Sequence, residues 1–236
     1  MVRINKYLAE CGICSRREAD KYIEQGKVKV NQKTAVSGMQ VSGQDVVEFA
    51  GKVVQPKNRK IVLAYYKPIG VTCTEKDVHA DKTIVQALNY PVRLTYAGRL
   101  DKDSEGLIIM TNDGDLIQQM MKGANGHEKE YTVKVNKEIT QEFLDKMSQG
   151  VFLKELAQTT RPCKLKQIGK YTFQIILTQG LNRQIRRMCQ EFGYQVTSLR
   201  RDRIVNIELN GLRSGQYREL QGEELAQLYR LCGMKK

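Results

Sequence analysis

No stretch of this chain approaches the ~18 uninterrupted apolar residues of a membrane-crossing helix. The amino terminus, MVRINKYLAECG, lacks the apolar centre of a secretory signal. Both absences point to a cytoplasmic protein. Histidine is nearly missing, since His79 and His127 are the only two. The six cysteines (Cys11, Cys14, Cys73, Cys163, Cys189 and Cys232) are scattered, and only Cys11 and Cys14 have metal-like spacing. With no second CxxC and no HxxxH to complete a zinc set, they read as reduced, unpaired thiols, and no metal centre is expected. The chain also lacks a GxxxxGK[ST] element, which excludes a P-loop. Two histidines far apart in sequence give little support to a serine nucleophile with a histidine base.

Positive charge is what the chain has in excess. Its 39 Lys and Arg against 26 Asp and Glu leave a net charge of +13, well above the ~2–8 usual for a small soluble domain. A field of that size concentrates polyanions and gives salt-dependent binding, so nucleic acid is the first partner to consider. With 236 residues, 41% of them hydrophobic and 28% charged, the chain can bury a real core. Its length suits two unequal domains, read here as a monomer.

Residues 1–50 form one compact pattern. Ile4, Tyr7 and Leu8 have helical spacing that stops at Gly12; Ser15-Arg16-Arg17-Glu18 is a capping box opening a second helix, with Gly26 just past its end. Short alternating strands follow at Lys27–Asn31 and Asp45–Phe49. Arg3, Lys6, Arg16 and Arg17 cluster near the helix starts, and Lys27 and Lys29 project from one side of the strand, a plausible phosphate-tracking face. Residues 51–60, GKVVQPKNRK, read as a linker. From 61 to 236, strands are expected at 61–66, 107–111, 131–135, 172–178 and 204–209, and helices at 83–89, 114–122, 140–148, 183–192 and 223–231. Strands and helices without strict βα alternation make this an α+β domain.

Within it, YAGRLDKDSEGLIIMTNDGDL (96–116) leads a charged loop straight into an apolar run. Asp101, Asp103 and Glu105 with Gly106 imitate the start of a calcium loop, but the twelfth position, which needs a bidentate glutamate, is Asn112. Local ion pairs in a polar turn are worth little, so this segment alone is equally well a surface turn before a strand. A second segment, GLNRQIRRMCQEFG (180–193), places Ile185, Met188, Cys189 and Phe192 on one helical stripe and Arg183, Arg186, Arg187 and Gln190 on another side. Guanidinium groups at a helix start oppose the helix dipole, and an anionic ligand or a fixed carboxylate would offset the repulsion. Arg200, Arg201 and Arg203 extend this basic surface.

RINKYLAECGICSRREADKYIEQGKVKVN resembles the S4 RNA-binding domain over about residues 2–50. KPxG (Lys67–Gly70), GRLDxxSEGL…TNDG (Gly98–Gly114), EKEY (Glu128–Tyr131) and GLNRQIRRM (Gly180–Met188) resemble the RsuA/RluB/RluE/RluF group of ribosomal RNA pseudouridine synthases. NDGDL, HEKEY and GLNRQIRRMCxxFGY are nearest the F-type enzymes of 23S rRNA. The resemblance implies an S4-like domain (1–50), a linker (51–60) and a mixed antiparallel-sheet catalytic domain (61–236). It implies isomerisation of uridine, with no cofactor because the reaction has no net redox change or group loss. It makes Asp101 the essential catalytic group, acting as nucleophile or as base toward the ribose, Arg186 the cation that pairs with it, and Tyr131 the ring against the target base. Arg99, Lys102, Leu181, Asn182, Arg183, Gln184 and Arg187 would handle the extruded nucleotide, with Arg3, Lys6, Arg16, Arg17 and Lys27 on the flanking RNA. A B- or E-type or small-subunit relative acting on another uridine is the alternative within the family. A non-catalytic ribosome-assembly factor is the alternative outside it, and such a factor has no use for Asp101, Tyr131 and Arg186 together.

Overall fold

The computed structural model of the protein describes residues 1–56, 59–74 and 82–234. His79 and residues 57 and 58 of the expected linker lie outside them. The chain divides into two compact units: Met1–Ile61 with Pro91–Arg93 and Asn112–Gly114, and Val62–Tyr90 with Leu94–Thr111 and Asp115–Lys236. Among the described residues, no helix is long and apolar enough to cross a membrane.

In the first unit, the helix Ile4–Glu10 ends before Gly12, whose φ is 77°. Ser15 then caps the helix Arg16–Glu24: its hydroxyl accepts the Glu18 N–H at 3.2 Å, while the Glu18 carboxylate accepts the Ser15 N–H at 3.0 Å. The apolar faces of both helices (Ile4, Leu8, Ala19, Ile23) close on Val28, Val41 and Val47. A four-stranded antiparallel sheet runs Lys33–Thr34, Val28–Val30, Val47–Phe49, Lys52–Val53. Asn31 and Gln32, both at positive φ (49° and 66°), form the tight turn between its first two strands. Lys52–Val53, read from sequence as linker, is therefore a strand. A two-residue edge strand needs only backbone partners, here Glu48 and Phe49, and leaves no side-chain pattern to detect.

The second unit is built on a nine-stranded mixed sheet. Its main path runs Lys164–Gly169, Thr172–Leu177, Lys129–Val135, Val196–Ile204, Glu105–Thr111, Val62–Lys67, Tyr217–Glu219. Val196–Ile204 and Glu105–Thr111 run parallel, and the other neighbours along this path are antiparallel. Leu107, Ile108, Ile109 and Met110 are wholly buried at the centre, which accounts for the unbroken apolar run in the sequence. The helices Ile84–Leu88, Gly114–Met121, Gln141–Ser148, Gln184–Glu191 and Gly222–Leu231 lie where periodicity places them.

The sequence reading of this sheet fails at one important strand. The expected strand 204–209 is in fact the end of Val196–Ile204, a turn at Val205 (φ 55°) and the two-residue strand Ile207–Glu208. Arg200, Arg201, Asp202 and Arg203 hide the long strand, because four charged residues in a row mask the alternation. A bulge compounds this: Glu130 pairs with Arg203 and Tyr131 with Arg201, leaving Asp202 as the extra residue. Period two sends Arg200 and Arg201 to opposite faces. Arg201 is 2% exposed, so it is not part of a basic surface.

Where the two parallel strands meet, Gly106 has a φ of 108°, and a Cβ there would lie 2.4 Å from the Arg201 carbonyl oxygen and 2.7 Å from its nitrogen. Gly106→Ala is expected to lower stability by at least about 2 kcal/mol, from backbone strain plus displacement of a main chain. Urea unfolding checks this, and an unchanged midpoint would show that the two strands can separate freely.

Candidate active site

The strand Thr95–Ala97 pairs antiparallel with Glu105–Thr111, so residues 98–104 form the loop between them. Several anchors of that loop hold its main chain. The Gly70 N–H donates to the Lys102 carbonyl at 2.8 Å, and the Leu100 N–H to Cys73 Sγ at 3.4 Å. Arg186 Nη2 donates to the Asp103 carbonyl at 2.9 Å and lies 3.1 Å from the buried Ser104 hydroxyl. From below, Arg201 Nε donates to the Leu107 carbonyl at 2.7 Å, and its Nη1 to that of Arg99 at 3.4 Å. Lys67, with no exposed surface, fixes the adjoining KPIG turn by donating to the Pro68 and Val71 carbonyls, both at 2.8 Å.

The carboxylate of Asp101, 34% exposed, is left facing outward with Arg183 Nη1 at 3.6 Å. The resemblance assigns Arg186 to this carboxylate, but Arg183 is the residue within ion-pair distance. Arg186 braces the loop, its Nη1 reaching the Val196 carbonyl at 3.2 Å and its Nε lying 3.4 Å from Asp103. Arg183 forks onto the Asp103 carboxylate at 3.2 and 3.0 Å. Asp103 is thus the fixed carboxylate that the crowded guanidinium groups require. Burial alone would raise its carboxyl, yet Arg183 and Arg186 outweigh that and hold it below the ordinary carboxylate value.

Two residues expected to face RNA are engaged inside the protein. Gln184 is 4% exposed and its side-chain oxygen accepts the Leu181 N–H at 3.0 Å. Arg187 donates to the carbonyl and side-chain oxygens of Asn182 at 3.0 and 3.2 Å and pairs with Glu155. The cause is local: Arg183, the residue before the helix, has φ 50° and supplies no side-chain cap, so these two side chains hold the preceding turn. Arg99, Lys102, Asn182 and Arg183 are exposed, and Leu181 is half-buried. In the first unit Arg3, Arg16, Arg17 and Lys27 are exposed, whereas half-buried Lys6 lies 3.8 Å from Glu10.

Cross-strand pairing sets Ile175, Tyr131, Arg201, Gly106 and Lys67 in one row across the sheet. Tyr131, almost fully buried, therefore sits directly beside Arg201, whose guanidinium reaches the loop two residues from Asp101. Lys129 is two residues before Tyr131 and on the same side of its strand; burial, followed by the charge of Arg201, lowers its ammonium to about 8. Burial likewise lowers Lys67. The opposite face holds a cavity of about 480 Å³ lined by Glu130, Thr132, Arg200, Asp202 and Arg203 among others. There the charges are paired, Arg200 with Asp202 at 2.5 Å and Arg203 with Glu128 and Glu130 at 2.9 and 3.1 Å. Lys67 and Lys129 lie inside the KPxG and EKEY motifs, which by themselves give them no role, and the burial of Arg201 leaves no signal in the sequence because it depends on the strand register. Among the described residues, no group of three His, Cys, Asp or Glu could hold a metal.

Because the folded value of Asp103 is depressed, its clamp stabilises the protein above the ordinary carboxylate pH range and is lost as the pH falls through the depressed value. Asp103→Asn is expected to melt a little earlier at neutral pH, a small effect at this exposure. The difference from the parent should close as the pH drops below about 3.8, the ordinary value for an aspartate. Thermal melts across acidic pH test this, and a constant difference would contradict the clamp.

Comparison with known proteins agrees with this architecture. The family model for RNA pseudouridylate synthase matches residues 61–191, and that for the S4 domain matches residues 2–47. The dual-specificity RNA pseudouridine synthase RluF of Escherichia coli strain K12 is 48% identical over 232 residues, covering 98% of this chain and 79% of the relative. The ribosomal large subunit pseudouridine synthase B of Bacillus subtilis is 34% identical over 238 residues, covering 98% and 97%. A crystal structure of a pseudouridylate synthase superposes with a TM-score of 0.71 at 28% identity, covering 97% of this chain and 100% of the other. A loop-mounted aspartate on a mixed sheet, preceded by an S4 domain, thus coincides with similarity along nearly the whole chain: the protein belongs to the RNA pseudouridine synthases, an isomerase family, and is RluF-like within it.

Proposed function

We propose that the protein converts a uridine of 23S ribosomal RNA to pseudouridine, with Asp101 as the nucleophile toward the ribose. The observation that carries this reading is the mounting of Asp101: a partly exposed carboxylate on a loop whose main chain is fixed from several sides, with Arg183 at 3.6 Å. A carboxylate suits attack at a glycosidic carbon, being nucleophilic while ionised and still able to leave. The C1′–N1 bond breaks, the uracil turns, C5 bonds to C1′ as the carboxylate departs, the C5 hydrogen leaves as a proton and N1 gains one. Atoms and electrons balance without a cofactor. Tyr131, aromatic along its face and polar at its tip, lies against the base. Arg183 holds the carboxylate from outside and Arg186 fixes the loop from the helix.

A stacked uridine cannot reach such a site, so it is extruded, and the exposed Arg99, Lys102, Asn182 and Arg183, with half-buried Leu181, hold the gap open. The S4 domain follows the flanking RNA through Arg3, Lys6, Arg16, Arg17 and Lys27. The enzyme works as a monomer in the cytoplasm, where its ribosomal substrate is made, and residues 61–236 carry the chemistry. A purely binding role gains nothing from placing Asp101, Tyr131 and two guanidinium groups around one loop.

Asp101→Asn is expected to lower tritium release from RNA carrying 5-tritiated uridine by at least about 10³-fold, as removal of a nucleophile does, while RNA affinity changes little. Full activity in this variant would refute the assignment. Replacing Arg16 and Arg17 by alanine is expected to flatten the plot of log affinity against log salt by about 0.7 to 0.9 for each phosphate no longer neutralised. An unchanged slope would remove these residues from the RNA path.

A further inference from the structure

Arg201 is buried deeper than any other arginine in the site, yet among the described residues no carboxylate pairs with it, and its Nη2 has no hydrogen-bond partner. A buried guanidinium without a counter-charge is costly, and an apolar side chain of similar volume would fit the fold better. The other cations on this side of the sheet deepen the puzzle. Among the described residues no carboxylate hydrogen-bonds Lys67 or Lys129 either; burial and then Arg201 lower both ammonium groups, while Cys73, Asp101 and Asp103 act the other way on Lys67. What Arg201 does make is a pair of bonds to main-chain carbonyls on either side of Asp101: Arg99, two residues before it, and Leu107, six after. Its own backbone is locked in turn, because Gly106 packs so close to the Arg201 main chain that no Cβ fits.

We infer that Arg201 is a positioning residue for the reaction: a buried splint that fixes the height of the Asp101 loop above the sheet through the Arg99 and Leu107 carbonyls, with no contact to RNA. A planar fork is suited to this, since it can reach a carbonyl of the loop and one of the strand that follows it at set angles, whereas an ammonium is a point donor on a flexible stem. The position of Tyr131 follows as well, because it pairs directly with Arg201 in the sheet. The residue thereby stands between the carboxylate and the ring, its side chain under the Asp101 loop and its main chain beside Tyr131, and a displacement of about 1 Å in such a pair costs on the order of 10²-fold in rate.

This inference rests on the proposed role of Asp101, and the test separates the two. Arg201→Lys keeps the charge and loses the fork, while Arg201→Gln removes the buried charge and keeps a short donor, so at least one should fold. Each is assayed in the full-length protein, against the parent, for tritium release from RNA carrying 5-tritiated uridine and for RNA affinity. Backbone hydrogen exchange is followed by mass spectrometry without RNA. The expected result is faster exchange confined to residues 99–107 and a kcat lower by about 10- to 100-fold, with KM and RNA affinity within about threefold. Unchanged exchange in that segment, a kcat within twofold of the parent, or a loss lying in KM instead of kcat would overturn it. Since exchange is read without turnover, the splint is judged even if Asp101→Asn retains activity and the reading of Asp101 itself falls.

Discussion

Main-chain carbonyls gripped by cations are the constraint on which the proposed active site depends. Residues 98–107 form a loop and the start of a strand, and a loop of this kind is ordinarily the most mobile part of a domain. Here Arg186 holds the Asp103 carbonyl, Arg201 holds those of Arg99 and Leu107, and the Gly70 amide holds that of Lys102. Fixing such a loop by its backbone spares the Asp101 side chain from that task. Asp101 can therefore stay partly open to solvent without being loose, which is what its proposed role toward a large RNA requires.

The sheet separates two uses of charge. On the face shared with Tyr131, the wholly or partly buried cations Lys67, Lys129 and Arg201 bond to carbonyls and not to acids. On the opposite face Arg200 and Arg203 are matched with Asp202, Glu128 and Glu130. Strand alternation gives adjacent arginines opposite fates, and the bulge at Asp202 keeps Arg203 on the paired side. The net charge of +13 therefore mixes two populations: exposed cations suited to phosphate, and internal ones that hold the fold.

Asp103 shows how a motif residue can serve its neighbours. In sequence it resembles the second ligand of a failed calcium loop. In the structure its carboxylate gathers Arg183 and Arg186, offsetting the repulsion of guanidinium groups at a helix start, while its carbonyl receives Arg186 again. The arginine found at ion-pair distance from Asp101 is consequently Arg183, three residues from the one its motif suggested.

The helices were legible because amphipathic spacing and caps are local: Ser15 with Glu18, and Thr83 with Gln86, define their own helix starts. The two-unit plan, the α+β class and the placement of Asp101 on a loop before a buried strand could likewise be read from composition, apolar runs and motifs. What needed the tertiary structure was the direction of side chains in strands whose pattern is masked by charge, and the choice of partner among several nearby cations. Arg201 meets Leu107 and Arg99 across separations of 94 and 102 residues, and Arg186 meets Asp103 across 83. Such pairings depend on strand register and on how far a helix is rotated against a sheet. A one-residue shift would turn Arg201 to the other face, so composition and spacing supplied the candidate residues, and only the folded sheet could decide which of them are buried and what each one holds.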